Sequence, residues 1–245
     1  MTTRLSHEDN GALPWTILCD FDGTVSPEDI TDILLERFAL PGWETLEQQW
    51  QAGETGSAEC MSGQIALLDM TREELDSCLS SIRIDPAFKH FVALARRRAI
   101  PLTIVSDGLD YAIQHILNRH ELGHLRVIAN HLEQQSERRW RLRLPVAAPD
   151  CQRASGVCKC AVAKTVKGRV LMVGDGRSDF CVAGQVDHVL AKGELIDECR
   201  RQGIACTPFH DFSDAVPALS RWLNDSASPG GYRAFNPLMP WRTHD

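Results

Sequence analysis

Two carboxylates separated by one residue, in Asp20-Phe21-Asp22-Gly23-Thr24, directly follow the apolar run Trp15-Thr16-Ile17-Leu18-Cys19. A run that short and that apolar predicts a buried strand rather than a helix. Side chains two apart on a strand point to the same side, so Asp20 and Asp22 share one address at its C-terminal end. Two acids in an apolar setting are costly unless a cation or a proton compensates them. The pair therefore asks for Mg²⁺ and for one protonated member. An ionised Asp can attack phosphorus and carry the phosphoryl group, while a protonated one gives its proton to the departing alcohol. A strand followed by an Asx turn would account for Asp22-Gly23 without any chemistry.

Two further apolar runs end in the same way. Pro101-Leu102-Thr103-Ile104-Val105 leads into Ser106-Asp107-Gly108, and Arg169-Val170-Leu171-Met172-Val173 leads into Gly174-Asp175-Gly176-Arg177-Ser178-Asp179. Buried strands that each end in small or acidic residues and are each followed by a helical pattern describe one crevice. It lies at the carboxyl edge of a parallel sheet, in an α/β fold.

The remaining elements sort around that sheet. Ile30, Ile33, Leu34 and Phe38 fall at helical spacing, as do Ile65 and Leu68, and Leu75 and Leu79 after Thr71 as N-cap. Residues 27–81 therefore read as a helical insertion without a strand, and residues 14–26 and 82–225 as the core. Asp85-Pro86 reads as the N-cap and first residue of a core helix whose stripe is Phe88, Phe91, Val92 and Ala95. Leu109, Ile113, Ile116 and Leu117 mark the next helix, and the alternation of Trp140, Leu142 and Leu144 predicts an edge hairpin. Residues 226–245, with Pro229-Gly230-Gly231 and Trp241, read as a loosely docked tail.

Bulk properties narrow the function classes. The chain of 245 residues can hold one α/β core and a small insertion. A formal net charge of −7 argues against a nucleic-acid or anionic-membrane surface. With no charged-then-apolar leader and no run long enough to span a bilayer, cytoplasmic residence is the default. The nine cysteines are odd in number, and some, such as Cys19, lie in apolar runs where a reduced buried thiol is expected. Cys151, Cys158 and Cys160 lack the paired spacing and fourth ligand of a structural zinc site. Lys159, at a loop-to-helix transition, has the better claim to function than Lys164 or Lys167, which read as solvated. Trp43 and Trp50 suit either a core or a homodimer contact.

The ordered set Asp20 to Thr24, Ser106, Lys159, and Asp175 with Asp179 resembles the four motifs of the haloacid dehalogenase superfamily of phosphohydrolases. The resemblance implies a Rossmann-like three-layer parallel sheet core with an inserted all-helical cap, as in its phosphoserine-phosphatase-like branch. It implies Asp20 as nucleophile and Asp22 as acid and then base. Mg²⁺ would be held by Asp20, the Asp22 backbone carbonyl and Asp175, with Asp179 orienting the metal's waters. Phosphoryl oxygens would meet Ser106, its neighbour Gly108, and the amides around Gly23 and Thr24, and Lys159 would neutralise charge.

Within that branch the Cys-x₆-Cys-Lys pattern ending at Lys159, the stretch from Phe38 to Trp50, and Leu195 to Arg200 are similar to one family. Its members are 2-hydroxy-3-keto-5-methylthiopentenyl-1-phosphate phosphatases of methionine salvage. Phosphoserine phosphatases bind their substrate's carboxylate with a cap Arg, and Glu59 to Leu68 holds neither Arg nor Lys. Asp29 is available for a substrate hydroxyl or ammonium group, or serves as a helix N-terminal acid. The Ser106-Asp107 pair resembles phosphoethanolamine and phosphocholine phosphatases, whose substrates carry a cation. Asp107 is then either a cation site or, as preferred here, a turn residue. A catalytically silent binding protein and a phosphotransferase complete the alternatives.

Overall fold

The structure is a computed structural model that describes residues 13–151 and 154–226. All but the first residue of the expected C-terminal tail, Trp241 included, lies outside the described residues. In chain order the elements are β1 (Trp15–Cys19), α1 (Ile30–Phe38), α2 (Trp43–Gln51), α3 (Ser57–Ala66), α4 (Arg72–Leu79), α5 (Phe88–Arg97) and β2 (Leu102–Leu109). They continue with α6 (Asp110–Arg119), β3 (Arg126–Gln134), β4 (Trp140–Arg143), α7 (Lys159–Thr165) and β5 (Arg169–Gly174). A 3-10 turn (Arg177–Asp179), α8 (Phe180–Ala183), β6 (His188–Ala191), α9 (Gly193–Gln202), β7 (Cys206–Pro208) and α10 (Phe212–Ser226) complete the chain.

The seven strands form one sheet in the order β4-β3-β2-β1-β5-β6-β7, parallel throughout except for the antiparallel edge strand β4. Central strands buried on both faces need apolar residues at every position. In β1 the alternation is clear: Ile17 and Cys19 face a core shared with α1, α5, α6 and α10, whereas Leu18 faces Val162 of α7 and Val182 of α8. Helices thus cover both faces, in three layers. Phe88, Phe91 and Phe212 are fully buried in the first core, each contributing about 1.5–3 kcal/mol.

Residues 27–81 carry α1 to α4 and no strand of the sheet; their bridges are the isolated pairs Ala39–Leu68 and Asp69–Arg139. Thr71 caps α4 in a reciprocal box with Glu74. Ile65, Leu68 and Leu75 join the same hydrophobic cluster as the sheet, so the insertion shares its core. Trp43 packs against that cluster. Among the described residues no helix is long and apolar enough to cross a membrane.

Two expectations need correction. Asp85 does not cap α5, whose N-cap is Ala87. Its Oδ1 accepts from Ala87 N (2.8 Å) and its Oδ2 from Phe212 N (2.7 Å), so it closes a turn and ties in α10 before the helix starts. Nor is Asp107 a turn residue: β2 runs through Ser106, Asp107 and Gly108 to Leu109, with a shift of register against β3 after Val105.

Candidate active site

Asp20 follows β1 immediately and is 5% exposed, its N–H donating to Val173 O of β5 (2.8 Å). Its Oδ1 accepts from Phe21 N (2.8 Å), which turns its Oδ2 toward the Lys159 ammonium at 2.7 Å. Lys159, the first residue of α7, also donates to Asp179 Oδ1 (2.6 Å) and Ser178 Oγ (2.8 Å). Asp179 is fully buried; its Oδ2 accepts from the N–H groups of Asp175 (3.1 Å) and Gly176 (3.4 Å). Asp175 receives the Thr24 hydroxyl at 2.6 Å.

Asp22 is placed otherwise. Its Oδ1 accepts from Ile30 N at the start of α1 (3.1 Å), and among the described residues it forms no ion pair. Its Oδ2 faces Gly108, where an added Cβ would lie 2.3 Å away. Gly23 is required twice over: its φ is +71°, and a Cβ there would stand 2.2 Å from Asp175 Oδ2. Ser106 is buried, and its Oγ accepts from Gly108 N (3.0 Å). A hydroxyl that accepts from one side keeps its own proton to donate.

The charges are unbalanced. Burial, and next the charge of Asp179, pushes Asp20 up, against the pull of Lys159. Burial and then the charge of Asp29 push Asp22 well above the usual carboxylate range. Burial raises Asp175 to about 6. Burial alone would push the Lys159 ammonium down, but Asp179 and Asp20 outweigh it and hold it above its ordinary value. Among the described residues Lys159 is the one ammonium in ion-pair contact with these carboxylates. Asp20, Asp175 and Asp179 each offer an oxygen within 4.8 Å of the others. An all-carboxylate oxygen set short of positive charge fits a hard divalent cation such as Mg²⁺.

A cavity of about 290 Å³ opens above these groups, walled by Asp20, Asp22, Ser106, Asp107 and Asp175 from the sheet and by Asp29, Asp32, Glu47, Trp50, Met61 and Gln64 from the insertion. Asp29 is the N-cap of α1, accepting from Asp32 N (3.1 Å). The Arg177 guanidinium lies over the Trp50 ring at 5.3 Å, so this aromatic of the insertion meets the loop that follows β5. Asp107 accepts from Ser57 Oγ (2.9 Å), Asn130 Nδ2 (3.0 Å) and Val157 N (2.9 Å).

The structure therefore brings Asp20, Asp22, Ser106, Lys159, Asp175 and Asp179 to one crevice, with Gly23, Thr24, Asp29, Asp107 and Gly108 around them. Sequence reasoning missed Ser178, Ser57 and Asn130. Ser178 sits between Asp175 and Asp179 as the one hydroxyl of an acidic stretch, and Asn130 is an amide in mid-strand, where that residue type is depleted. Those were the available signals.

The chain is similar to known proteins in sequence and in fold. The chain is 31% identical over 211 residues to a 2-hydroxy-3-keto-5-methylthiopentenyl-1-phosphate phosphatase of Geobacillus kaustophilus, covering 84% of this chain and 95% of the relative. It is 35% identical over 211 residues to a protein of the same name from Exiguobacterium sibiricum, covering 83% and 95%. A solved phospho-aspartyl intermediate analogue of phosphoserine phosphatase shares the fold with a TM-score of 0.62 at 16% identity, over 84% of this chain and 99% of that one. The model of haloacid dehalogenase-like hydrolases matches residues 17–184. With its motif residues gathered in one crevice and more than half its length matched, the chain belongs to the haloacid dehalogenase-like hydrolase family.

Proposed function

We propose that the chain is a Mg²⁺-dependent phosphomonoester hydrolase whose substrate is 2-hydroxy-3-keto-5-methylthiopentenyl-1-phosphate. The name shared by its relatives supports the substrate. The observation that carries the reaction is the asymmetry in the partners of the two acids: Asp20 is paired with the Lys159 ammonium at 2.7 Å, whereas Asp22 is held by the Ile30 N–H and has no ion pair among the described residues.

Asp20 attacks phosphorus in line, and its new O–P bond forms as the ester P–O bond breaks. Asp22 gives its proton to the leaving oxygen. Asp22, now ionised, takes a proton from water, whose oxygen attacks the phosphorus of the aspartyl-phosphate; inorganic phosphate leaves and Asp20 is restored. Ser106 O–H and the amides around Gly23 and Thr24 bind phosphoryl oxygens, while Thr24 O–H steadies Asp175. Lys159 neutralises charge shared by Asp20 and the phosphoryl group. Asp20, Asp175 and the Asp22 carbonyl would hold Mg²⁺, with Asp179 beside them to orient the ion's waters, and the ion when bound would supply further charge neutralisation at the phosphoryl oxygens. Gly23 and Gly108 give the carboxylates room. Residues 27–81 act as the cap over the core of 14–26 and 82–225, and Asp29 faces the non-phosphate end of the substrate.

A second reading rests on the cavity's acids. Asp29, Asp32 and Glu47 line it, and Arg177 is the one cation among the described lining residues. That wall disfavours a substrate carboxylate and suits an amine, as in phosphoethanolamine or phosphocholine. The test is phosphate release from the enol phosphate, phosphoserine, phosphoethanolamine and phosphocholine, with and without Mg²⁺. Mg²⁺-dependent preference for the enol phosphate is expected. Preference for the amines would transfer the assignment to the second reading, and no release from any of them would leave a binding protein. Phosphoglycerol formed in added glycerol would identify a phosphotransferase.

A further inference from the structure

The Asp107 carboxylate joins three segments that are remote in sequence. Ser57, which opens α3 of the insertion, donates to its Oδ2 at 2.9 Å. Val157, two residues before Lys159, donates its backbone N–H to Oδ1 at 2.9 Å. Asn130 of β3 donates to Oδ1 at 3.0 Å and to the Asp107 backbone carbonyl at 2.6 Å. On either side of Asp107 in the chain stand Ser106 and Gly108, which line the cavity.

Three further contacts tighten the same junction. Ala58 N donates to Ala154 O at 2.8 Å, so the start of α3 rests on the loop that leads to Lys159. Gly56 lies so close to Ala154 that a Cβ on it would be 2.6 Å from the Ala154 Cβ. Cys158 N donates to Val146 O at 3.2 Å, anchoring the other side of that loop. Asn130 is fully buried, and its amide oxygen has no partner among the described residues. Turning the amide over would set that oxygen against two Asp107 oxygens, so the orientation serves Asp107 at the cost of an orphaned acceptor.

From this geometry we infer that Asp107 is a positioning residue that couples the seating of α3 to the placement of Lys159. It rests on the hydrolase reading above for its catalytic consequence, though not for its structural one. A carboxylate can accept from all of these donors at once, and charge-assisted bonds hold them more firmly than neutral ones. With Oδ1 saturated by Asn130 and Val157, the group is committed to the protein rather than to a substrate cation.

The test combines a mutant cycle with hydrogen exchange, using p-nitrophenyl phosphate as substrate. Ser57→Ala, which touches neither Lys159 nor Asp20, is expected to lower kcat about threefold through the relay. The same change is expected to add nothing in an Asp107→Asn or a Lys159→Ala background, since residues acting as one unit are not additive. Asp107→Asn alone is expected to lower kcat about tenfold, as a small misplacement of a catalytic group does. Ser57→Ala should also speed backbone exchange across residues 154–158, although the substitution lies in α3. Independent, multiplicative effects would overturn the coupling. So would an Asp107→Asn enzyme with normal kcat and a changed preference between amine and neutral phosphomonoesters. If the wild-type chain hydrolyses no phosphomonoester, the hydrolase reading fails while the exchange measurement still decides the coupling: unchanged exchange at 154–158 in Ser57→Ala sinks it.

Discussion

Gly108 is the wall against which Asp22 stands: a Cβ at residue 108 would lie 2.3 Å from Asp22 Oδ2. Its backbone is not left-handed, so space and not conformation demands the glycine. Gly108→Ala is expected to push Asp22 out of line and lower kcat by about 10- to 100-fold, the cost of roughly an ångström of misplacement. The Asp20–Lys159 pair, which is not among the nearest atoms such a Cβ would meet, is expected to stay formed. Steady-state kinetics beside a thermal melt check this; an alanine variant with unaltered kcat would mean that the wall yields.

Asp20 and Asp22 should separate by leaving group. Asp20→Asn is expected to remove turnover of every phosphomonoester by at least about 10³-fold, because the nucleophile is lost. Asp22→Asn should slow alkyl phosphates far more than nitrophenyl phosphate, whose anion leaves without a proton. Rates for a series of leaving groups supply the comparison. Equal slowing across the series would take the acid role from Asp22.

Lys159 holds two buried carboxylates, with side chains 1%, 7% and 0% exposed for Lys159, Asp20 and Asp179. Lys159→Met leaves both acids uncompensated, and an unpaired buried charge costs about 3–5 kcal/mol. Lower stability in EDTA is therefore expected, together with a loss of at least about tenfold in kcat/KM, or about 1.4 kcal/mol. Because a divalent cation binds only the folded carboxylate cluster, saturating Mg²⁺ should raise the melting temperature, and by more in the variant than in the wild type. Melts in EDTA and in Mg²⁺ decide it. An equal rise in both would show that the cation does not take over from the ammonium.

Much of this site could be read from the sequence because its chemistry is local. Asp20 and Asp22 declare themselves by a two-residue spacing at a strand end, Asp175 and Asp179 by following β5, and Lys159 by opening a helix. What escaped depends on partners far along the chain. Ser57, Asn130 and Val157 stand 50, 23 and 50 residues from Asp107, and no spacing rule links them. Gly108 reads as a ligand-binding residue, and its second task, leaving room for Asp22, shows only where the two stand side by side. Asp85-Pro86 carries the local signature of a helix start, but Phe212 N, 127 residues away, takes one of the Asp85 oxygens and the helix begins later. Local signals locate strand ends and helices; register, closure and tertiary competition for a carboxylate do not appear in them.

His188 links stability to pH away from the crevice. It opens β6, its Nε2 meets Thr207 Oγ1 at 2.9 Å, and its ring stacks on Trp222 with centroids 5.4 Å apart and planes inclined by 17°. Burial lowers its pKa below the ordinary value of 6.5. The folded chain thus refuses a proton that the unfolded chain accepts. Stability from this residue is complete above the unfolded pKa and is lost as pH falls from there through the lowered folded pKa. His188→Gln removes the proton-linked group, so its melting temperature should fall less than that of the wild type between about pH 7.5 and about pH 5.5. The acidic groups titrate in both proteins, and the difference between the two curves isolates His188. Parallel curves would mean that the imidazole takes its proton in the folded state as readily as in the unfolded one.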